Sequence, residues 1–167
     1  MKESEGMTKA EIRLHLFGDG PWIQEPDQLD FEHKGIRCQA LRSQMGAWLG
    51  YCFWPEGHPH RPTSEEEFRY CRKYNVHGGI TFCNEEKIGF DCAHADDLTP
   101  REQKISAEIE VKHPFSEHMN KMIEELKKKH KKFRTKTYRD MEFVQKHCRN
   151  LAEQILDYQK GVWRNDS

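Results

Sequence analysis

The sequence predicts an α+β fold: a mostly antiparallel sheet carrying one short helix, with two long C-terminal helices packed on it. Three observations carry that expectation. The first hundred residues break into short apolar segments separated by Gly, Pro and Asn turns. The last third holds two apolar stripes at helical spacing. A chain of 167 residues is one domain's worth, and its 35 % hydrophobic and 33 % charged residues make a thin core and a well-solvated surface. Residues 1–100 are expected to form a sheet-rich part that carries the site. Residues 101–167 are expected to form a helical part packed on it, the two making one compact unit.

The elements follow in order. Glu11-Ile12-Arg13-Leu14-His15-Leu16-Phe17 alternates polar and apolar and reads as a strand, ended by Gly18-Asp19-Gly20-Pro21. Leu29 to His33 and Ile36 to Leu41 read as strands around a Lys34-Gly35 turn. Ala47 to Trp54 is nearly all apolar, as a strand buried on both faces is. Three prolines in the next eight residues make Pro55 to Pro62 a constrained loop. Ser64 and Glu67 have the spacing of a capping box, so a helix is expected from there to about Tyr74. Val76 to Phe82 and Lys87 to Asp91 are expected to pair as a hairpin, followed by a polar loop to Thr99.

Phe115, Met119, Met122, Leu126 and Phe133 mark the first C-terminal stripe. Tyr138, Met141, Val144, Cys148, Leu151, Ile155 and Tyr158 mark the second, which is narrow enough to serve as a coiled-coil seam. Such stripes pack on the sheet, on each other, or on a second copy in a homodimer.

Net charge is −1, which excludes a wholesale polyanion binder, yet the average hides a split. Residues 1–100 carry 11 basic and 17 acidic side chains; residues 101–167 carry 16 and 11. Two surfaces of different character are expected. No apolar run approaches the ~18 residues that span a bilayer, and Met1-Lys2-Glu3-Ser4-Glu5-Gly6 has no apolar signal segment. Six cysteines occur without a C-x-x-C pair. A cytoplasmic protein with reduced thiols and no membrane partner is the expectation.

The densest chemistry is Asp91-Cys92-Ala93-His94-Ala95-Asp96-Asp97. His58-Pro59-His60 and His77-Gly78-Gly79 are the other histidine clusters, and the expected hairpin brings His77 beside Asp91. Three site chemistries compete. His and Asp form acid/base pairs; His58, His77, His94 and the aspartates hold a divalent metal; or Cys92 is a nucleophile activated by His94. Against the last, residues two apart on an extended chain face opposite ways. A purely structural alternative makes Asp96 and Asp97 turn caps, His94 a partner of loop carbonyls, and Cys92 buried filler.

Gly78-Gly79 marks either a bulge or a backbone that a ligand approaches closely, and bare N–H groups there suit an anion. Seven Lys and Arg fall within Lys127 to Lys136. Lys127, Lys128, Lys131, Lys132 and Arg134 form a face for nucleic acid or an acidic protein, or simply a solvated helix end paired with Glu124 and Glu125.

Three elements carry a resemblance. Pro55-Glu56-Gly57-His58-Pro59, Val76-His77-Gly78-Gly79-Ile80-Thr81 and Gly89-Phe90-Asp91-Cys92-Ala93-His94-Ala95-Asp96-Asp97, with the helix from Tyr138-Arg139-Asp140-Met141 to Gln154, resemble a family of small uncharacterised phage and prophage proteins. The likeness covers roughly residues 47–97 and 137–156. The segment between Phe82 and Ile88 is shorter than the family pattern, and Arg101 to Lys136 reads as an insertion. The setting implies a phage accessory protein, a class that includes proteins disarming bacterial defences by degrading or sequestering nucleotide messengers.

The resulting expectation is a hydrolase of a nucleotide-type phosphodiester. His77 and His94 act as acid/base or metal groups, with Asp91 and Asp97 orienting them or sharing a metal. His58, Gly78, Gly79, Thr81 and Arg61 bind the ligand. A pocket that sequesters a nucleotide without turnover, and an interaction protein working through the basic helix, are the alternatives.

Overall fold

A computed structural model describes residues 6–112, 116–129 and 136–161, side chains aside at 65–67, 110–111, 123 and 126–129. The fold is α+β. Five strands, β1 (Gln28–His33), β2 (Ile36–Arg42), β3 (Trp48–Phe53), β4 (Phe82–Cys83) and β5 (Lys87–Asp91), form one antiparallel sheet in the order β1-β2-β3-β5-β4. The helices are α1 (Lys9–Phe17), α2 (Pro100–Lys112), α3 (Glu117–Lys129) and α4 (Met141–Gln159). Two 3-10 helices, Pro21–Gln24 and Glu65–Lys73, complete the order.

The β1–β2 hairpin closes on Lys34 (φ 50°) and Gly35 (φ 85°), a two-residue loop whose twist matches the strands it joins. One sheet face is apolar: Cys38, Ala40, Trp48, Cys52, Ile88 and Phe90 are all buried. Helix α4 lies on that face, packed against β2 and β3. Its stripe Val144, Cys148, Leu151, Ala152, Ile155 and Tyr158 is buried, as the periodicity predicts. Each large aliphatic in the stripe contributes about 1.5–3 kcal/mol. The sheet centre is built from small residues, so the helix seats deeply. A Cβ at Gly50 would lie 2.8 Å from the Cys148 sulfur and 2.6 Å from the Phe90 ring.

The start of α4 is fixed from outside the helix. The Asp140 carboxylate accepts from the Phe143 N–H, and Glu25 accepts from both the Tyr138 hydroxyl and the Met141 N–H.

Several expectations change. Residues 11–17 are helical, not a strand. Thr8 and Glu11 form a reciprocal capping box, and Arg13 and Phe17, four residues apart, face inward. The alternating Ile12, Leu14 and Leu16 that suggested a strand are exposed. The 64–74 helix forms as a 3-10 helix with no side-chain cap from Ser64. Strand β3 alternates buried and half-buried residues rather than being buried on both faces. The hairpin partner of β5 shrinks to two residues, and residues 76–81 form turn and loop. Among the described residues from Pro100 onward there are three helices, α2, α3 and α4. Met119 and Met122 of the first stripe are exposed, Phe115 and Phe133 lie outside the described residues, and Leu126 lies outside the described side chains.

The thiols are not all reduced. Cys71 and Cys83 are joined by a disulfide, while Cys38, Cys52, Cys92 and Cys148 are free and buried. Among the described residues no helix is long and apolar enough to cross a membrane.

Candidate functional site

Strand β5 ends at Asp91, opposite Leu49 of β3. There the chain turns: the Asp91 carboxylate accepts from the Ala93 N–H, and the Asp97 N–H bonds the His94 carbonyl. The turn folds the Asp97 side chain back to accept from the His94 N–H at 3.0 Å. A short parallel bridge then ties the turn to the segment before α4. Leu98 N–H bonds the Thr137 carbonyl and Thr137 N–H bonds the Asp96 carbonyl, which brings Arg139 to the same place.

Asp97 is the hub, 1 % exposed. His77 Nε2 lies 2.9 and 2.8 Å from its two oxygens, His94 Nδ1 3.2 Å from Oδ2, and Arg139 Nε 2.8 Å from Oδ1. Burial alone would raise the Asp97 pKa. The hydrogen bonds from Arg139, His77 and the His94 amide outweigh it and hold the carboxyl at about 2. Asp97 is therefore a permanent anion that aligns two imidazoles. His77, His94 and Asp97 each offer a metal-ligating atom, all within 4.8 Å of one another.

Around the hub, Phe143 packs edge-on to the His77 ring at 4.9 Å, with the Arg139 guanidinium over its own ring at 4.9 Å. His147 Nδ1 accepts from the His77 backbone N–H at 3.3 Å. Burial, with the nearby positive charges of His77, Lys146 and Arg139, lowers the His147 pKa. Asp91 stands 3.7 Å from His94 Nδ1. A cleft of about 520 Å³ opens beside His77, with His33, Lys146, His147, Arg149 and Asn150 in its walls.

No protein-family model matches the chain, and no curated protein and no solved structure matches it either.

The loop carrying His77 is held at both ends. Gln154, 2 % exposed, donates to the Asn75 carbonyl and accepts from the Asn75 N–H. The Cys71–Cys83 disulfide closes the loop from either side. Gly78 has φ +69°, and a Cβ there would come within 2.1 Å of the His94 ring. The glycine is required by the imidazole, so the close approach that two glycines predicted is made by the protein's own side chain. The Gly79 N–H bonds the Val76 carbonyl in a turn, so it is already engaged.

Of the sequence-predicted residues, His77, His94, Asp91 and Asp97 converge. His58 does not join them. Its Nε2–H donates to the Ile155 carbonyl and its Nδ1 accepts from the His60 N–H, which fixes a neutral tautomer inside an aromatic cluster of Trp54, His60 and Tyr74. His60 stacks on Tyr70 and bonds the Tyr74 hydroxyl. The Pro55 to Pro59 element thus anchors the end of α4. Arg61 is exposed and bonds the Glu85 carbonyl, and the Thr81 N–H bonds the Gly89 carbonyl; neither contact is to the Asp97 cluster. Cys92 is buried, and burial pushes its thiol well above the usual range, which removes it as a nucleophile.

Lys127 and Lys128 lie outside the described side chains, and Lys131, Lys132 and Arg134 outside the described residues. Sequence reasoning missed Arg139, His147 and Gln154 as site residues. A signal was present: positions 147 and 154 fall at core-facing spacing on the α4 stripe, yet both are polar.

Proposed function

We propose that this is a phage-type accessory hydrolase that cleaves a nucleotide-type phosphodiester at the Asp97 cluster. The observation that carries the reading is the attachment of two imidazoles to one buried carboxylate. Two histidines in one site meet the demand of phosphodiester hydrolysis, which needs a base for the attacking water and an acid for the leaving oxygen. Asp97 sits on Nε2 of His77 and Nδ1 of His94 and so holds both rings in one fixed orientation.

The charge of the adjoining cleft supports an anionic substrate. Lys146, Arg149, His33 and His147 line the adjoining cleft, and its one acidic wall residue, Glu153, is paired with Lys34. Such a cleft favours an anion. Arg139 neutralises Asp97 rather than the substrate.

The test incubates the protein with linear and cyclic nucleotides, with and without chelator, and reads products by mass spectrometry. Turnover lost in His94→Ala supports the hydrolase. A nucleotide recovered intact at one equivalent after denaturation supports sequestration instead. Salt-sensitive binding to polyanions as the sole activity transfers the function to the basic block.

A further inference from the structure

We propose that Nε2 of His77, Nδ1 of His94 and Oδ2 of Asp97 bind a divalent transition-metal ion. The proposal rests on the reading of this cluster as the hydrolytic centre, and names the agent that activates water there.

Spacing is the first argument. Oδ2 lies 2.8 Å from His77 Nε2 and 3.2 Å from His94 Nδ1, and all three ligand groups fall within 4.8 Å. Ligand atoms held ~2.1 Å from one ion are about 3.0 Å apart along an octahedral edge and about 3.4 Å apart along a tetrahedral one. The two spacings from Oδ2 therefore already match neighbouring corners of a coordination polyhedron. Donor chemistry is the second. Two imidazoles and one carboxylate on one face select manganese, iron, cobalt or zinc over magnesium and calcium, which prefer oxygen.

The surroundings meet the requirements of a ligand shell. Arg139 Nε holds Oδ1 at 2.8 Å and the His94 N–H holds Oδ2 at 3.0 Å, which fixes the carboxylate against both rings as outer partners of metal-bound carboxylates do. The His94 ring lies against Gly78, and the His77 ring against Phe143. Arg139 cancels the Asp97 charge, but Asp91, 3.7 Å from His94 Nδ1, restores a negative balance. The His77 and His94 side chains are 17 and 30 % exposed, which gives the ion an entry path and room for water. A bound ion of this class lowers the pKa of its water and polarises a phosphoryl oxygen.

The experiment titrates chelator-treated, dialysed protein with manganese, cobalt, zinc and magnesium chlorides separately. Calorimetry gives the stoichiometry, and the visible spectrum of the cobalt form reports nitrogen ligation. One equivalent of manganese, cobalt or zinc is expected, with magnesium binding far more weakly. His77→Ala and His94→Ala should each weaken binding by about 100-fold or more, above the ~10–100-fold typical of outer-shell changes. His94→Gln serves where circular dichroism shows that an alanine variant fails to fold.

Binding in wild type no tighter than in the histidine variants overturns the proposal. Chelator-resistant turnover without ion binding leaves the hydrolase standing and removes the ion. Ion binding without turnover of any nucleotide does the reverse.

Discussion

His77 and Asp97, twenty residues apart in the chain, meet through one ring nitrogen that lies within 2.9 Å of both carboxylate oxygens. The same carboxylate takes Arg139 and both donors of His94. Removing its charge therefore strands several groups at once. Asp97→Asn is expected to abolish turnover and to destabilise the fold. The cost falls below the ~3–5 kcal/mol of breaking a fully buried pair, because Arg139 is a quarter exposed. Chemical denaturation of wild type and variant measures it.

The two glycines after His77 should behave differently. Gly78→Ala puts a methyl group into the His94 ring at a φ of +69°, so the imidazole must move. Gly79→Ala meets open space and carries only the backbone strain of φ +86°, about 1 kcal/mol. Turnover should collapse in the first and survive in the second. Equal activity loss in both would remove His94 from the chemistry.

Reduction should loosen the site. The Cys71–Cys83 bridge closes the loop that holds His77 and Gly78, and a loop of that length is worth about 3 kcal/mol in chain entropy. Added dithiol, or Cys71→Ser with Cys83→Ser, should lower the melting temperature. Amide exchange should rise at residues 76–80 before it rises in β2 and β3.

Acid should destabilise the aromatic cluster. Burial, the leading cause, lowers the His58 and His60 pKa values in the folded chain, with His58 and Lys73 adding to the effect at His60. The unfolded chain, with histidines near 6.5, then binds more protons than the folded one below about pH 6.5. Stability is fully present above that pH and declines as pH falls through it. The melting temperature should drop by a few degrees between pH 7.5 and 5.5, and His60→Gln should flatten that slope.

The cleft predicts a binding effect separate from the chemical step. Lys146→Ala with Arg149→Ala removes two cations from its wall and leaves the Asp97 cluster untouched. KM for an anionic substrate should rise about 3–10-fold with kcat nearly constant, as loss of uniform binding does. A fall in kcat alone would place these residues in the wrong role.

Much of the sheet was legible because its signals are local. The Lys34-Gly35 turn fixes the β1–β2 register, and the α4 stripe repeats at helical spacing for twenty residues. Local signals also misled. Residues 11–16 alternate as a strand would, but Thr8 caps them as a helix and the alternating Ile12, Leu14 and Leu16 face solvent. Residues 76–81 look extended, but two positive-φ glycines turn the chain there. Half of the site was visible as His77, His94, Asp91 and Asp97. His58 was grouped with them because histidines in sequence do not reveal which are buried among aromatic rings.

By itself the sequence determined the antiparallel strands, the amphipathic last helix and the polar loop that supplies His94 and Asp97. Those depend on turn residues and on periodicities of two and 3.6, which act over a few neighbours. Only the tertiary structure decided which polar residues share a space. Arg139 and His147 come to Asp97 and His77 because α4 seats on small sheet residues and a two-bond bridge ties its leading segment to the Asp97 turn. Cys71 finds Cys83 for the same reason: long-range packing, not spacing along the chain, sets the distance between them.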